Sequence, residues 1–152
     1  MKVVQKDTFY VVGISVRTTN ENGQAKEDIT NLWKRFMALE VPKLIPNAID
    51  PAICAVYTHY ESDHTQPYDT ILGCIVSDLN TIPEGMVGIT VEKSTYKKFV
   101  AQGDLTKDAV IHKWVEIWNM DLNRTYTADF ELYGEKANDP TNGEVDIYIA
   151  VV

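Results

Sequence analysis

The sequence is short of cysteine, of basic residues and of long apolar runs, and each shortage excludes a class of protein. Only two of the 152 residues are cysteine, and Cys54 and Cys74 lie too far apart in sequence for a CxxC zinc or redox pair. Lysine and arginine total 14 against 22 acidic residues, a net charge of -8, which disfavours nucleic acids and anionic lipid surfaces. We therefore expect no direct nucleic-acid or membrane binding.

Targeting signals and metal motifs are also missing. No stretch approaches the roughly twenty apolar residues that a membrane span needs, and the residues after Met1 lack the apolar core of a secretory signal. We expect a cytoplasmic protein. The histidines, His59, His64 and His112, show no metal-ligand spacing, and no Ser/His/Asp arrangement or glycine-rich phosphate loop is present. The sequence predicts neither a metal site nor a cofactor.

Apolar periodicity predicts an α+β fold with an antiparallel sheet and two main helices. Helices are predicted over 25–39 and 110–119, each with apolar residues at spacings of three and four. The proline-rich segment 41–51 is predicted to be an irregular connection. Strands are predicted over 8–16, 53–60, 70–76, 87–91, 95–101, 126–133 and 145–152.

The two halves of the chain, about 1–82 and 83–152, share the order strand, helix, hairpin. The helix segment around Trp33 corresponds to the one around Trp114, as in an internal repeat. Neither half is large enough to bury both a sheet face and a helix alone. We therefore expect a single domain, 1–152, with the halves packed about a pseudo-twofold axis and a pocket at the seam.

The first hairpin places the two cysteines opposite each other if its register is symmetric about the loop. In that register Cys54 pairs with Cys74, and both thiols are expected to be buried and reduced, because free cysteine packs like a small hydrophobe. The loop 60–69 that joins the strands carries several acids and His64. Solvated turn chemistry is the favoured interpretation of this loop.

The final hairpin carries the candidate site residues. Strand alternation puts Asp129, Glu131 and Tyr133 on one face, and aligned rows would set Glu131 opposite Tyr148, facing away from the helix layer. A solvated sheet face is the plain alternative. A carboxylate ringed by Tyr57, Tyr133, Tyr148 and a helix tryptophan would instead attract an organic cation, because aromatic faces and a buried negative charge favour the same ligand.

Several segments, in this order and at this spacing, resemble the GyrI-like effector-binding family, the ligand domains of AraC-type and multidrug-sensing regulators and their stand-alone relatives, some encoded on integron cassettes. The resemblance covers the whole chain. It implies a duplicated βαββ architecture, an SHS2-like pair, with a drug-sized pocket between the halves. The segments that carry it are 57–64 (YTHYESDH), 68–69 (YD), 73–74 (GC), 82–86 (IPEGM), 114–118 (WVEIW), 126–133 (YTADFELY) and 144–149 (EVDIYI).

The resemblance also implies roles for individual residues. Glu131 matches the family's central glutamate, which meets cationic, lipophilic compounds, and Tyr148 is its expected aromatic neighbour. Trp118, Tyr57 and Tyr133 fit the aromatic lining. The family's regulators carry an amino-terminal helix-turn-helix, whereas this sequence begins at its first strand, so DNA binding by that means is not expected.

Three functional classes remain open from the sequence. The preferred one is a stand-alone binding protein for cationic, lipophilic small molecules, with no catalytic residue. The first alternative is a hydrolase of electrophilic small molecules, in which Glu131 and Tyr148 would be catalytic and burial would raise the pKa of the glutamate. The second alternative is a protein-interaction module resembling the family's gyrase inhibitor, and sheet edges could also support a homodimer.

Overall fold

The computed structural model describes residues 2–152, which form one eight-stranded antiparallel sheet with two main helices packed on one face. The α+β fold class predicted from the sequence is confirmed. The helices are α1 (Gln24–Ala38), α2 (Val41–Leu44) and α3 (Ala109–Trp118). The strands are β1 (Lys2–Lys6), β2 (Phe9–Thr18), β3 (Ile53–Thr58), β4 (Tyr68–Val76), β5 (Val87–Val91), β6 (Ser94–Gly103), β7 (Ala128–Tyr133) and β8 (Gly143–Val151).

The sheet order shows the internal repeat directly. Across the sheet the strands run β1-β6-β8-β7-β3-β4-β2-β5. The first half contributes β2, α1, β3 and β4, and the second contributes β6, α3, β7 and β8 in the same order. The halves meet where β3 pairs with β7, from Ile53 opposite Tyr133 to Thr58 opposite Ala128. Each half is therefore the predicted strand-helix-hairpin unit.

The two edge strands are exchanged between the halves, which sequence reasoning did not foresee. The strand β1 pairs with β6 in the second half, although only Asp7 and Thr8 separate it from β2. In the same way, β5 comes just before β6 in the chain but pairs with β2 in the first half. Such a link spans about 11 Å at most, whereas a flat sheet would set β1 and β2 about 29 Å apart. The sheet must therefore curve strongly to bring its edges together.

The two faces of the curved sheet bury different apolar clusters. On one face the rings of Phe9 in β2 and Phe130 in β7 lie 5.0 Å apart, although two strands separate them, so this face is the concave one. The other face packs under the helices, with Leu32 and Phe36 from α1 and Ile117 from α3 buried against it. The predicted apolar row of β8 lies under the helices as expected: Val145, Ile147, Ile149 and Val151.

Two local predictions are corrected. The connection 41–51 contains the helical turn α2, because Pro42 sits in its first turn, where proline costs no hydrogen bond. In the first hairpin Cys54 pairs with Gly73 and not with Cys74. The register shifts by one residue between the bond from Glu61 N–H to Pro67 and the pair Thr58–Asp69, where His59 takes a left-handed backbone conformation with φ of 52°. The two free, buried cysteines thus point to opposite faces of the sheet.

A glycine pair allows β2 and β4 to approach closely. Gly13 lies directly opposite Gly73, and a Cβ atom added to Gly13 would sit 2.0 Å from the carbonyl oxygen of Leu72. Backbone atoms cannot yield as a flexible side chain can. These positions therefore require glycine for close backbone approach.

We expect Gly13→Ala to lower the free energy of unfolding by about 1 to 3 kcal/mol, the range for overpacking a well-packed site. Gly134→Ala is the matched control, because no described atom lies within 4 Å of its added Cβ, and it should change stability little. Urea unfolding followed by circular dichroism measures both. Equal stability of the two variants would contradict the close approach of β2 and β4.

Candidate functional site

A cavity of about 690 Å³ opens between the two main helices and the sheet, at the seam between the halves. This volume suits a drug-sized molecule. The first half supplies Trp33 from α1 and Tyr57 from β3, and the second supplies Trp114 and Trp118 from α3 and Glu131 from β7. Both halves are thus needed to form the site.

Glu131 lies against this cavity and is only 1% exposed. Its Oε1 atom accepts hydrogen bonds from the hydroxyl groups of Tyr57 at 3.0 Å and Tyr133 at 2.9 Å. Its Oε2 atom accepts one from the Trp114 indole nitrogen at 2.5 Å. The three donors come from β3, β7 and α3, so the carboxylate ties both halves and a helix together.

Two opposing influences act on the charge of Glu131. Burial raises the pKa of its carboxyl group, and the three hydrogen bonds, which favour the charged form, lower it by less. Within the part of the chain that the structure describes, no lysine, arginine or histidine nitrogen lies within 4.0 Å of the carboxylate to form a salt bridge with it. The site thus contains a buried carboxylate that has hydrogen-bond donors but no counter-ion of its own.

Aromatic rings form much of the wall around this carboxylate. Trp33 packs edge-on against Tyr133 with ring centroids 4.9 Å apart, and Tyr57 packs edge-on against Trp114 at 5.3 Å. Trp118 lies 6.5 Å from Trp114. These edge-to-face contacts fix the rings before any ligand arrives.

A second buried carboxylate, Asp129, lies two residues earlier on β7, and its hydrogen-bonding groups are satisfied within the protein. It accepts hydrogen bonds from Arg124 at 2.7 Å, Tyr60 at 2.6 Å and the backbone N–H of Ala150 at 2.8 Å. Residues 125–129 bulge relative to β8, because Arg124 bridges Val151 while Phe130 pairs with Tyr148. Ala128 and Asp129 keep their pairing with β3. The bulge brings the Arg124 guanidinium back to Asp129.

The structure corrects the placement of Tyr148. In β8 this residue lies opposite Phe130, and Glu131 lies opposite Ile147, one residue away from the predicted register. Tyr148 therefore points to the concave face, where its ring stacks on Phe130 at 4.6 Å. This is the face predicted for Tyr148, away from the helices. Glu131 was predicted to face away from the helices as well, and that prediction is wrong, because it faces them.

The remaining predicted residues lie together. Tyr57 and Tyr133 contact Glu131 directly, and Trp118 lines the cavity. The loop predicted as a solvated turn covers part of the site, because His64 stacks on Trp118 at 5.4 Å. Sequence reasoning did not assign Trp114 or Arg124 to the site. The correspondence of Trp33 and Trp114 in the internal repeat could have indicated Trp114. No sequence pattern indicated Arg124.

Among residues 2–152 no group of three or more histidine, cysteine, aspartate or glutamate side chains is arranged to hold a metal ion. Across the same residues, no helix combines the length and the apolar character that crossing a bilayer requires.

The duplicated fold and the aromatic cavity at its seam define a small-molecule-binding domain of the GyrI-like class. Comparison with known families makes this specific. The family model of Cass2, described as integron-associated effector binding protein, matches residues 2–151. The chain belongs to this family.

Individual relatives agree with the assignment. YobU of Bacillus subtilis strain 168, a candidate transcriptional regulator, is 30% identical over 153 residues, which cover 98% of this chain and 96% of YobU. The Vibrio cholerae integron cassette protein VCH_CASS2 is 34% identical, with a TM-score of 0.77 over 99% of this chain and 95% of its own. The structure of SAV2435 bound to tetraphenylphosphonium has the same fold, with 21% identity and a TM-score of 0.79 over 99% and 93% of the two chains.

Replacing Glu131 with glutamine should change how stability depends on pH. Because the pKa of Glu131 is raised in the folded state, the folded protein holds this proton more tightly than the unfolded chain, and stability falls as pH rises between the two pKa values. Glu131→Gln abolishes this loss, so the free energy of unfolding of the variant should exceed that of the wild type at pH 8. The difference should vanish near pH 4.

Urea unfolding at several pH values measures this effect. Glu116→Gln is the matched control, because Glu116 is an exposed glutamate on α3 paired with Lys113. It should leave the pH profile unchanged. A profile of Glu131→Gln parallel to that of the wild type would mean that Glu131 does not titrate abnormally.

Proposed function

We propose that this protein is a receptor for lipophilic organic cations, which bind in the cavity with Glu131 as their counter-ion. The observation that carries the proposal is the buried carboxylate without a cationic partner, beside an aromatic-walled cavity of about 690 Å³. Tyr57, Tyr133 and Trp118 are the proposed aromatic contacts.

The energetics favour a cation over other ligands. A buried carboxylate loses its stabilising hydration, and in most proteins a nearby lysine or arginine compensates for that loss with its positive charge. A ligand cation can supply that charge, and its apolar surface can displace water from the aromatic wall. A neutral ligand would gain the second contribution only, and an anion would be repelled by Glu131.

The comparisons support the same proposal. The family is one of effector-binding proteins, and tetraphenylphosphonium, the molecule bound to SAV2435, is a large lipophilic cation. We infer a cytoplasmic receptor. Two free, buried thiols suit a reducing compartment.

The hydrolase alternative receives less support from the geometry. It pairs Glu131 with Tyr148 as catalytic residues, and these side chains point to opposite faces of the sheet. Glu131 also accepts three hydrogen bonds already, which leaves about one of its four lone-pair positions for a water molecule. A receptor needs only the negative charge.

Glu131→Gln should weaken binding of crystal violet, a lipophilic cation, by about 1.5 to 3 kcal/mol, the range for a hydrogen bond or contact to a charged group. Its colourless leuco form, a neutral molecule of similar shape at pH 7.5, should bind both proteins alike. Quenching of tryptophan fluorescence measures the affinities. Equal losses for the two ligands, or no loss for either, would refute the counter-ion role.

The pH dependence of cation binding should respond to the hydrogen bonds that Glu131 accepts. Tyr133→Phe removes one donor to the charged carboxylate, so the pH at which crystal violet affinity falls should move upward, and affinity at pH 6 should drop by about fivefold. Tyr148→Phe is the control, because Tyr148 lies on the other face of the sheet. If the two variants behave alike, the described hydrogen bond does not tune the site.

A further inference from the structure

Several buried polar atoms of cavity-lining residues have no hydrogen-bond partner. Among the residues that the structure describes, four buried side-chain polar atoms have no hydrogen-bond partner, and three of them belong to cavity-lining residues: Nε and Nη1 of Arg124 and Nδ1 of His64. Folded proteins satisfy nearly all such atoms. Three unsatisfied atoms from two separate segments on one cavity wall therefore require an explanation.

The Arg124 guanidinium is held firmly but only partly used. Its side chain is 4% exposed, and Nη2 donates to Asp129 at 2.7 Å. The ring of Tyr126 lies 4.4 Å from the guanidinium carbon. This contact stabilises the positive charge, but the ring does not accept hydrogen bonds from Nε–H and Nη1–H, which point outward in the guanidinium plane. Two fixed, charged donors are thus left for an acceptor that the protein does not supply.

His64 stands beside these donors on an anchored loop. Its ring is parallel to Trp118 within 5°, and its main-chain oxygen accepts a hydrogen bond from the Asn20 amide at 2.7 Å. Burial, and then the charge of Arg124, lower the pKa of His64, so the imidazole is neutral near pH 7. A neutral ring leaves Arg124 and Asp129 as the charged pair at this end.

The charge and spacing of these groups limit what can bind. Arg124 and Asp129 cancel each other, so a neutral oxygen acceptor suits the free donors better than a full anion does. Asp129 and Glu131 lie two residues apart on the same strand, so their Cα atoms are about 7 Å apart. Arg124 is bonded to Asp129, and we take this spacing as the separation of its free donors from Glu131. One benzene ring with its substituents spans this distance.

We propose that Arg124, assisted by His64, forms a second subsite that accepts a neutral oxygen of the ligand, such as a ketone, ester or amide carbonyl. The preferred ligand is then an organic cation that carries a carbonyl oxygen about 7 Å from its charged centre. This subsite rests on the proposed function, because Glu131 holds the cationic end. The subsite makes the protein selective for cations that carry such an oxygen, a selectivity that Glu131 alone would not provide.

A matched pair of probes tests the subsite: (4-acetylbenzyl)triphenylphosphonium and (4-ethylbenzyl)triphenylphosphonium, which differ only in the carbonyl oxygen. Isothermal titration calorimetry on the full chain should show the ketone binding about tenfold more tightly, the effect of a hydrogen bond to a charged donor. Arg124→Lys keeps the charge near Asp129 but removes both free donors, so the preference should disappear. Arg17→Lys, at an exposed arginine, should retain it.

A second variant guards against misfolding of Arg124→Lys. Arg124→Met combined with Asp129→Asn removes both charges together and avoids leaving one buried alone; it too should bind the two probes equally. In the wild type, the Nε–H resonance of Arg124 in a ¹⁵N NMR spectrum should shift with the ketone and not with the ethyl compound. Equal affinities in the wild type, or a ketone preference that survives loss of Arg124, would overturn the subsite.

Glu131→Gln separates the two proposals. If both are right, this variant weakens both phosphonium probes by the same factor and keeps the preference for the ketone. If both probes bind Glu131→Gln as tightly as the wild type, the counter-ion role fails, whatever the ketone preference. If only the preference is absent, the counter-ion role stands and the subsite alone is wrong.

Discussion

The carboxylate of Glu131 is the group on which the site depends, because it is buried and paired with donors but not with a positive charge. Its three hydrogen bonds come from β3, β7 and α3, so it can exist in this form only when both halves of the chain are assembled. The protein tolerates the desolvation of a carboxyl group that it could have paired with lysine or arginine. Such a cost is typical of functional sites.

The neighbouring carboxylate, Asp129, shows how a buried charge is usually stabilised in a protein. Asp129 is fully buried as well, but Arg124, Tyr60 and a backbone N–H satisfy it. Two carboxyl groups on one strand therefore have different surroundings: Asp129 is bonded to Arg124 at the bulge, and Glu131 has hydrogen-bond donors but no charged partner. The bulge is the reason the arginine reaches one carboxylate and not the other.

The exchanged edge strands explain how so small a chain keeps a cavity between its halves. A cavity between the two halves removes side-chain contacts that would otherwise stabilise their packing. Here β1 adds to the second half and β5 to the first, so the halves are linked by backbone hydrogen bonds at both sheet edges as well as by the central β3–β7 pairing. The helices can then stand apart over the site.

Much of the fold followed from the sequence, because helix and strand periodicities are local. The bounds of α1 and α3, the apolar row of β8 beneath the helices and the repeat of strand, helix and hairpin were all predicted from residue spacing. Glu131, Tyr57 and Tyr133 were assigned to the site through their strand patterns and the family resemblance. These assignments need only the face of a strand, which alternation determines.

Tertiary structure alone decided the strand register, the exchange of the edges and the role of Arg124. A shift of one residue in each hairpin separated the predicted cross-strand pairs Cys54–Cys74 and Glu131–Tyr148, whose members lie on opposite faces of the sheet, because strand alternation has a period of two and the register depends on loop conformation. The pairing of β1 with β6 joins residues about ninety positions apart. The sequence by itself thus determined the elements and which side chains share a strand face, and long-range packing determined which face lies under the helices and which side chains meet.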